Sequence, residues 1–258
     1  MIGPDADYDL EALAWSIDGD LEADFHFFRD FLLTSPGLAL DAGCGTGRLL
    51  IEYLRLGFQL EACDICPQMV ALCRKKAEAA GLRPPIYTLA IQNLPFTGRY
   101  SAIYLACGTF MCITGEGEVE RCLKALYRNL APGGRLALSI MLPKYLHLAG
   151  GPFPSAWEEY YSLTLPDGQG ELVVDWRAHA IDRSRQLIEE ENRYRLIANG
   201  AIVREEFHLG RHHWYTPEQV AALLEDNGFT DVAVYADYQP GPPQATSHSM
   251  CVVATRGS

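Results

Sequence analysis

Short apolar runs alternate with stretches whose apolar residues recur at helical spacing through the first 142 residues of the chain. Apolar runs at 38–40, 59–63, 86–90, 101–107 and 135–142 predict strands, most of them buried on both faces. Residues 48–55 carry a helical pattern. So do 67–80, opened by Pro67 at the first helical position and ended by Gly81, and 118–130, stopped by Ala131-Pro132-Gly133-Gly134. Upstream, Phe25, Phe28 and Phe31 share one helix face that packs on the core. Near the C-terminus, Thr216 and Pro217 are the N-cap and first residue of a helix ending near Gly228, followed by strands at 231–238 and 249–255. Strand and helix in strict alternation predict a doubly wound α/β fold.

Residues 144–214 break this alternation. Period-two patterning at 171–181, 186–197 and 201–215 predicts an antiparallel meander, with a turn at 182–185 and a two-residue hairpin at Asn199-Gly200. Pairing across that hairpin sets Arg193 opposite Glu206, a compatible charge pair. On its third strand, Phe207, Leu209, Arg211, His213 and Tyr215 share one face, while His208, His212 and Trp214 share the other. The chain thus divides into a core, 1–143 with 215–258, whose N-terminal stretch is a helical lid, and an inserted antiparallel β subdomain at 144–214.

The candidate chemistry starts at 38–50, LALDAGCGTGRLL. A buried strand runs into Asp41, a turn carries Gly43, Gly45 and Gly47, and a helix begins at Arg48, so the turn presents free N–H groups and admits a ligand close to the backbone. Dinucleotide loops have the spacing G-x-G-x-x-G; here it is G-x-G-x-G. Asp41 beside the loop would repel a pyrophosphate and suits a ligand bearing an ammonium group. Asp64 ends the second strand, where an acid holds ribose hydroxyls.

DAGCGTGR with its preceding strand resembles motif I of the class I S-adenosylmethionine-dependent methyltransferases. CDICPQMV resembles that family's D-x-S-x-x-M segment, and LAPGGRLAL its L-x-P-G-G-x-L turn and strand. The branch most similar contains glycine/sarcosine and amino-sugar N-methyltransferases. The resemblance implies a Rossmann-like seven-stranded sheet with an antiparallel last strand, S-adenosylmethionine as cofactor, and an inserted β-meander lid over the acceptor site. It implies cofactor contacts from Asp41, Gly43, Cys44, Gly45 and Gly47, and from Arg48 toward the cofactor carboxylate. Further contacts fall to Asp64 and Ile65 at the ribose, to Met69, Ile91 and Gln92 around the adenine, to Ala106, and to Tyr8 from the N-terminal segment. Three positions depart from the pattern: Cys66 replaces the family's serine, Ala90 stands where relatives carry an Asp, and Ser101 where they have the Asp of Y-D.

The charge balance of 21 basic against 33 acidic residues, net −12, disfavours a nucleic-acid partner and leaves a small-molecule acceptor. The one basic run, Arg74-Lys75-Lys76, is expected on a solvated helix face. The acidic start MIGPDADYDL has no apolar segment of a signal peptide, no apolar stretch approaches the roughly 18 residues of a membrane span, and eight cysteines fit a reducing, cytoplasmic location. No metal site is expected: Cys63-x-x-Cys66 lacks a second pair, and His212 and His213 point to opposite strand faces. His213, His212, Tyr215, Tyr160 and Tyr161 are candidates to line the acceptor pocket, with His213 as the candidate base. Nothing in the pattern demands a dedicated base, which favours transfer to nitrogen by proximity over transfer to oxygen. A protein that binds the cofactor without turnover, or an enzyme making another use of the pocket such as aminopropyl transfer or NAD chemistry, is the rival reading.

Overall fold

The computed structural model describes residues 9–17, 22–142, 155–165, 168, 170–244 and 246–257. Two helices, α1 (Leu10–Ile17) and α2 (Glu22–Leu33), precede the alternating core. There follow β1 (Ala39–Ala42), α3 (Arg48–Arg55), β2 (Leu60–Asp64), α4 (Pro67–Ala79), β3 (Ile86–Thr88), β4 (Tyr100–Leu105), α5 (Glu118–Asn129) and β5 (Leu130–Met141). A second series has β6 (Glu158–Thr164), β7 (Gly170–Asp182), β8 (Leu187–Ala198) and β9 (Ala201–His213). The chain then returns through α6 (Pro217–Asp226), β10 (Phe229–Ala236), β11 (Gln239–Pro240) and β12 (Ser249–Arg256).

The main sheet has the order β11-β10-β12-β5-β4-β1-β2-β3, with β1 to β5 parallel and β12 antiparallel to both β5 and β10. Seven strands match the expected sheet; the eighth is the two-residue β11, too short for a period-two signal. β1 is the switch point, with β2 on one side (Ala39↔Leu60) and β4 on the other (Ala39↔Ala102). Alternate residues feed two cores. Leu40, Ile103 and Leu105 pack with the α5 and α6 residues Leu123, Leu126 and Val220 on one face. Ala39, Ala102 and Tyr104 pack with Phe28, Phe31 and Tyr53 on the other, so the α2 aromatics are a core face.

The Ala131-Pro132-Gly133-Gly134 stop lies inside β5 as an irregularity: Leu130 pairs with Tyr100 before it and Arg135 with Ala102 after it. Gly134 admits no side chain there, because a Cβ would lie 2.8 Å from the Ala131 carbonyl oxygen and 3.0 Å from that of Tyr100.

The second sheet runs β6-β7-β8-β9 and is antiparallel throughout, one strand more than the meander read from the pattern. β6 is an edge strand whose residues are mostly exposed, so it carries no buried apolar stripe to betray it. At the β8–β9 hairpin Ala198 pairs with Ala201 and Ile197 with Ile202, but Leu196 pairs with Arg204. One extra residue on β9 shifts the register, and Arg193 faces Phe207 while Tyr194 faces Glu206, in place of the expected Arg193–Glu206 pair. The odd face of β9 is exposed, with Phe207 and Leu209 at 53% and 78% accessibility; the even face turns inward.

α1 joins the two sheets. Its Leu10, Leu13 and Ala14 pack against Leu172, Val174 and Leu196 of the small sheet, and its Ala12 packs against Met69 and Leu72 of α4. Lys76, expected on a solvated face, instead donates from Nζ to the Ser16 carbonyl (3.0 Å) and to Thr46 Oγ1 (3.2 Å), placing a cation at the α1 C-terminus.

At α6 the Thr216 side chain accepts from the Gln219 N–H, and the Gln219 side chain accepts from the Thr216 N–H at 2.8 Å, a complete capping box. Thr216→Ala removes one half of it. Denaturant unfolding should show a loss of about 1 kcal/mol, and an unchanged midpoint would mean the cap contributes nothing.

Candidate active site

Asp41 is the penultimate residue of β1 and Asp64 the last of β2, so the switch point brings both carboxylates to the same edge of the sheet. The loop between β1 and α3 turns through Gly43, Gly45 and Gly47, all at positive φ. A Cβ on Gly43 would strike Thr109, and one on Gly47 would lie 2.6 Å from Cys73 Sγ. At Gly45 a Cβ would meet nothing within 4 Å, because that edge of the loop borders a cavity of about 540 Å³. This volume lies inside the roughly 300–1,000 Å³ range of small-molecule sites.

Asp64 is fixed by the backbone around it. One carboxylate oxygen accepts from the Gly45 N–H and the other from the Cys66 N–H, both at 2.8 Å. Burial raises its pKa, and these N–H donors work against that rise. Each oxygen retains a lone pair for a further donor. Asp41 is more deeply buried, at 3% accessibility. Burial pushes its carboxyl up to about 7; the Tyr104 hydroxyl and, less strongly, Arg48 pull the other way. A desolvated carboxylate so placed is stabilised by a cation.

Of the residues expected to hold a cofactor, Asp41, Gly43, Cys44, Gly45, Arg48 and Asp64 line the cavity, as do Ile65, Met69, Ile91, Gln92 and Ala106. Ala90, the position that departs from the family's Asp, is also part of this wall. Gly47 is not: it packs on Cys73 and Ile51, and its role is to let α3 start close to α4. Arg48 is held by a partner the spacing did not reveal. Its Nη1 donates to Oδ1 of the buried Asp24 at 2.9 Å, its Nη2 to the other Asp24 oxygen, and Nη2 also lies 3.2 Å from Cys107 Sγ. The Gln92 amide donates to Glu118 at 3.1 Å. Tyr8 lies outside the described residues.

The acceptor candidates fare differently. His213 does not line the cavity; its Nδ1 lies 3.1 Å from the Gln186 carbonyl oxygen. Tyr215 is buried against Phe110, and neither it nor Tyr160 or Tyr161 reaches the cavity wall. His212 stands behind the wall, 3.3 Å from Glu190. Burial opposes its charge, but contact with Cys112 and Glu190 outweighs burial and pushes its pKa up to about 10. Glu11 and Trp15 of α1, Thr109 and Cys112 of the turn after β4, and Glu118 of α5 also belong to the wall. Local pattern gave no sign of these, except that residues following the C-terminal ends of parallel strands border such crevices. Among the described residues no cluster of His, Cys, Asp and Glu is arranged to hold a metal, and no helix is long and apolar enough to cross a membrane.

The raised Asp41 pKa has a measurable sign. The unfolded carboxyl ionises near the ordinary value of 3.8 and the folded one near 7, so its contribution to stability is greatest at low pH and is lost as pH rises through this window. Three pKa units correspond to a cost on the order of 4 kcal/mol. Asp41→Asn should therefore melt well above the parent chain at pH 8, by roughly 5 °C or more, with the gap closing toward pH 4. A gap independent of pH would show that Asp41 ionises normally in the fold.

Comparison with known proteins agrees with this geometry. A methyltransferase-domain family model matches residues 39–134, the stretch from β1 to the turn in β5. The chain is 32% identical over 162 residues to demethylmenaquinone methyltransferase of Thermus thermophilus, covering 62% of this chain and 70% of that protein. In structure it is similar to an S-adenosylmethionine-dependent methyltransferase from Clostridium acetobutylicum, with TM-score 0.77, 18% identity, and coverage of 93% and 94% of the two chains. It is also similar to a sugar N-methyltransferase from Streptoalloteichus, with TM-score 0.72, 19% identity, and coverage of 100% and 97%. With the glycine loop, the paired acids at β1 and β2 and the strand order in place, the chain belongs to the S-adenosylmethionine-dependent methyltransferases.

Proposed function

We propose that this enzyme methylates a small-molecule acceptor, on nitrogen in preference to oxygen, within the cavity beside the glycine loop. The observation that carries the reading is the make-up of that cavity: one end is the β1–α3 loop with Asp41 and Asp64, and the same continuous space is walled by α1 and the turn after β4. In this reading Gly43 and Gly45 admit the cofactor, Asp64 takes its ribose hydroxyls and Asp41 faces its cationic end. Met69 and Ile91 flank the adenine, Gln92 meets its edge, and Ile65 and Ala106 complete the contact. Arg48, tied to Asp24, contributes positive potential near the carboxylate.

When bound, the cofactor supplies an activated methyl on a sulfonium, so the chain's own task is to orient an acceptor lone pair and exclude water. A cavity of about 540 Å³ shared with the cofactor suits an acceptor of modest size. The relatives named above act on demethylmenaquinone and on a sugar nitrogen, which supports a small molecule. Nitrogen is favoured because a wall lined by carboxylates attracts an amine in its ammonium form, and among the described residues that line this cavity none is a histidine, the base that a hydroxyl acceptor would call for. The small β-sheet, joined to the wall through α1, serves as the lid in this reading.

Calorimetric titration should give micromolar binding of S-adenosylmethionine and S-adenosylhomocysteine and none of NAD. Incubation with a panel of amino sugars, amino acids and quinols should release S-adenosylhomocysteine with an amine. Turnover on quinols alone would reverse the preference for nitrogen, and binding without turnover on any acceptor in cell extract would favour a non-catalytic binder. Gly45→Ala should weaken both adenosyl ligands at least tenfold, whereas Gly98→Ala, at a similar positive φ away from the cavity, should leave them unchanged. Equal affinities in the two variants would remove the loop from the cofactor site.

A further inference from the structure

The ionisable side chains of the cavity wall are strongly unbalanced. Among the described residues, four carboxylates line it, Glu11, Asp41, Asp64 and Glu118, against one cation, Arg48, whose guanidinium is already engaged by Asp24. Asp41 and Asp64 sit at the strand ends beside the glycine loop. Glu118 is occupied by Arg121 at 2.5 Å and by the Gln92 amide at 3.1 Å. Glu11 differs from all three: it comes from α1, and among the described residues its ion-pair partner is a histidine rather than an Arg or Lys.

What holds Glu11 is a strand of the small sheet. His208 Nδ1 lies 3.1 Å from Glu11 Oε2, and its Nε2 lies 3.5 Å from Glu206 Oε2. Glu206 in turn accepts from the Leu10 N–H at 2.7 Å, at the first residue of α1. His208 and Glu206 share the inward, even face of β9. The imidazole therefore bridges two carboxylates from different elements and fixes the rotamer of the one that reaches the cavity. Tyr194 packs edge-on against the His208 ring, 5.2 Å between centroids, and steadies it.

We propose that Glu11 is the acceptor-binding carboxylate of this enzyme, that its partner is an acceptor arriving as an ammonium ion, and that His208 and Glu206 are its positioning residues. This rests on the small-molecule methyltransferase reading above. The acceptor ammonium pairs with the Glu11 carboxylate and passes one proton to a carboxylate oxygen, which leaves the nitrogen lone pair free; Glu11 returns the proton to solvent afterwards. Burial raises the proton affinity of Glu11 and so assists the step. His208 and, more weakly, His212 work against it, while Asp9 reinforces it.

The test needs no knowledge of the natural acceptor. Sinefungin carries an ammonium where the cofactor carries its transferable methyl, and S-adenosylhomocysteine carries nothing there. Calorimetry should show that Glu11→Gln weakens sinefungin at least tenfold and S-adenosylhomocysteine less than threefold. Equal losses for the two would assign Glu11 to the cofactor or to folding. No loss for either would place it out of reach of the transferred group. For the positioning role, the His208 ring proton resonance, assigned with His208→Gln, should move when sinefungin binds the parent chain but not when S-adenosylhomocysteine binds. That response should vanish in Glu11→Gln; its persistence would uncouple His208 from Glu11. A parent chain that binds neither nucleoside would instead overturn the proposed function itself, a result separate from any of these.

Discussion

Desolvation of the acid at the end of β1 is the constraint around which this molecule is organised. Parallel strands diverge at β1, because β2 leaves on one side and β4 on the other, and the crevice between their C-terminal ends is where a chain can leave a polar group out of water without closing the sheet over it. Asp41 occupies that place and is held near neutrality by burial. The glycine loop wraps the neighbouring acid, so that Asp64 is satisfied by backbone donors, while among the described residues no lysine or arginine forms an ion pair with Asp41 and Arg48 acts on it only at longer range. The two carboxylates are thus electrostatically distinct although they stand on adjacent strands. One is a preorganised acceptor for hydroxyl groups, and the other is a charge whose cost is relieved by a cation.

The parts of the site written in local sequence were legible. Asp41, the G-x-G-x-G turn and Asp64 are tied to strand ends and a helix start, and these follow from periodicity and capping. What escaped depends on contacts between distant segments. Nothing around Arg48 announces that Asp24 will take its guanidinium, and nothing in the Arg74-Lys75-Lys76 run shows that Lys76 turns inward to cap α1. Glu11 looks like any acid in the first turn of a helix until α1 is docked against Met69 and the small sheet.

The small sheet shows the same division. Its hairpin at Asn199-Gly200 was clear from the turn residues, but a single extra residue on β9 moved every later pair by one position. Such a bulge has no composition of its own, since Val203 is as good a strand former as its neighbours. The shift leaves the alternation of faces intact: His208 and His212 stand together on the inward face, as the alternation predicts, and His213 on the other.

The anchoring of α1 has a consequence for the cavity. Its C-terminal carbonyls are held by Lys76 and Thr46 beside the glycine loop, and its N-terminal turn is held by Glu206 and His208 of β9. A rigid rod fastened at both ends cannot swing while both fastenings hold, so α1 stands as a fixed wall of the cavity. Thr46 belongs to the glycine loop and His208 grips Glu11, so a single helix ties the loop to the small sheet across one continuous cavity, and strain at either fastening is felt at the other.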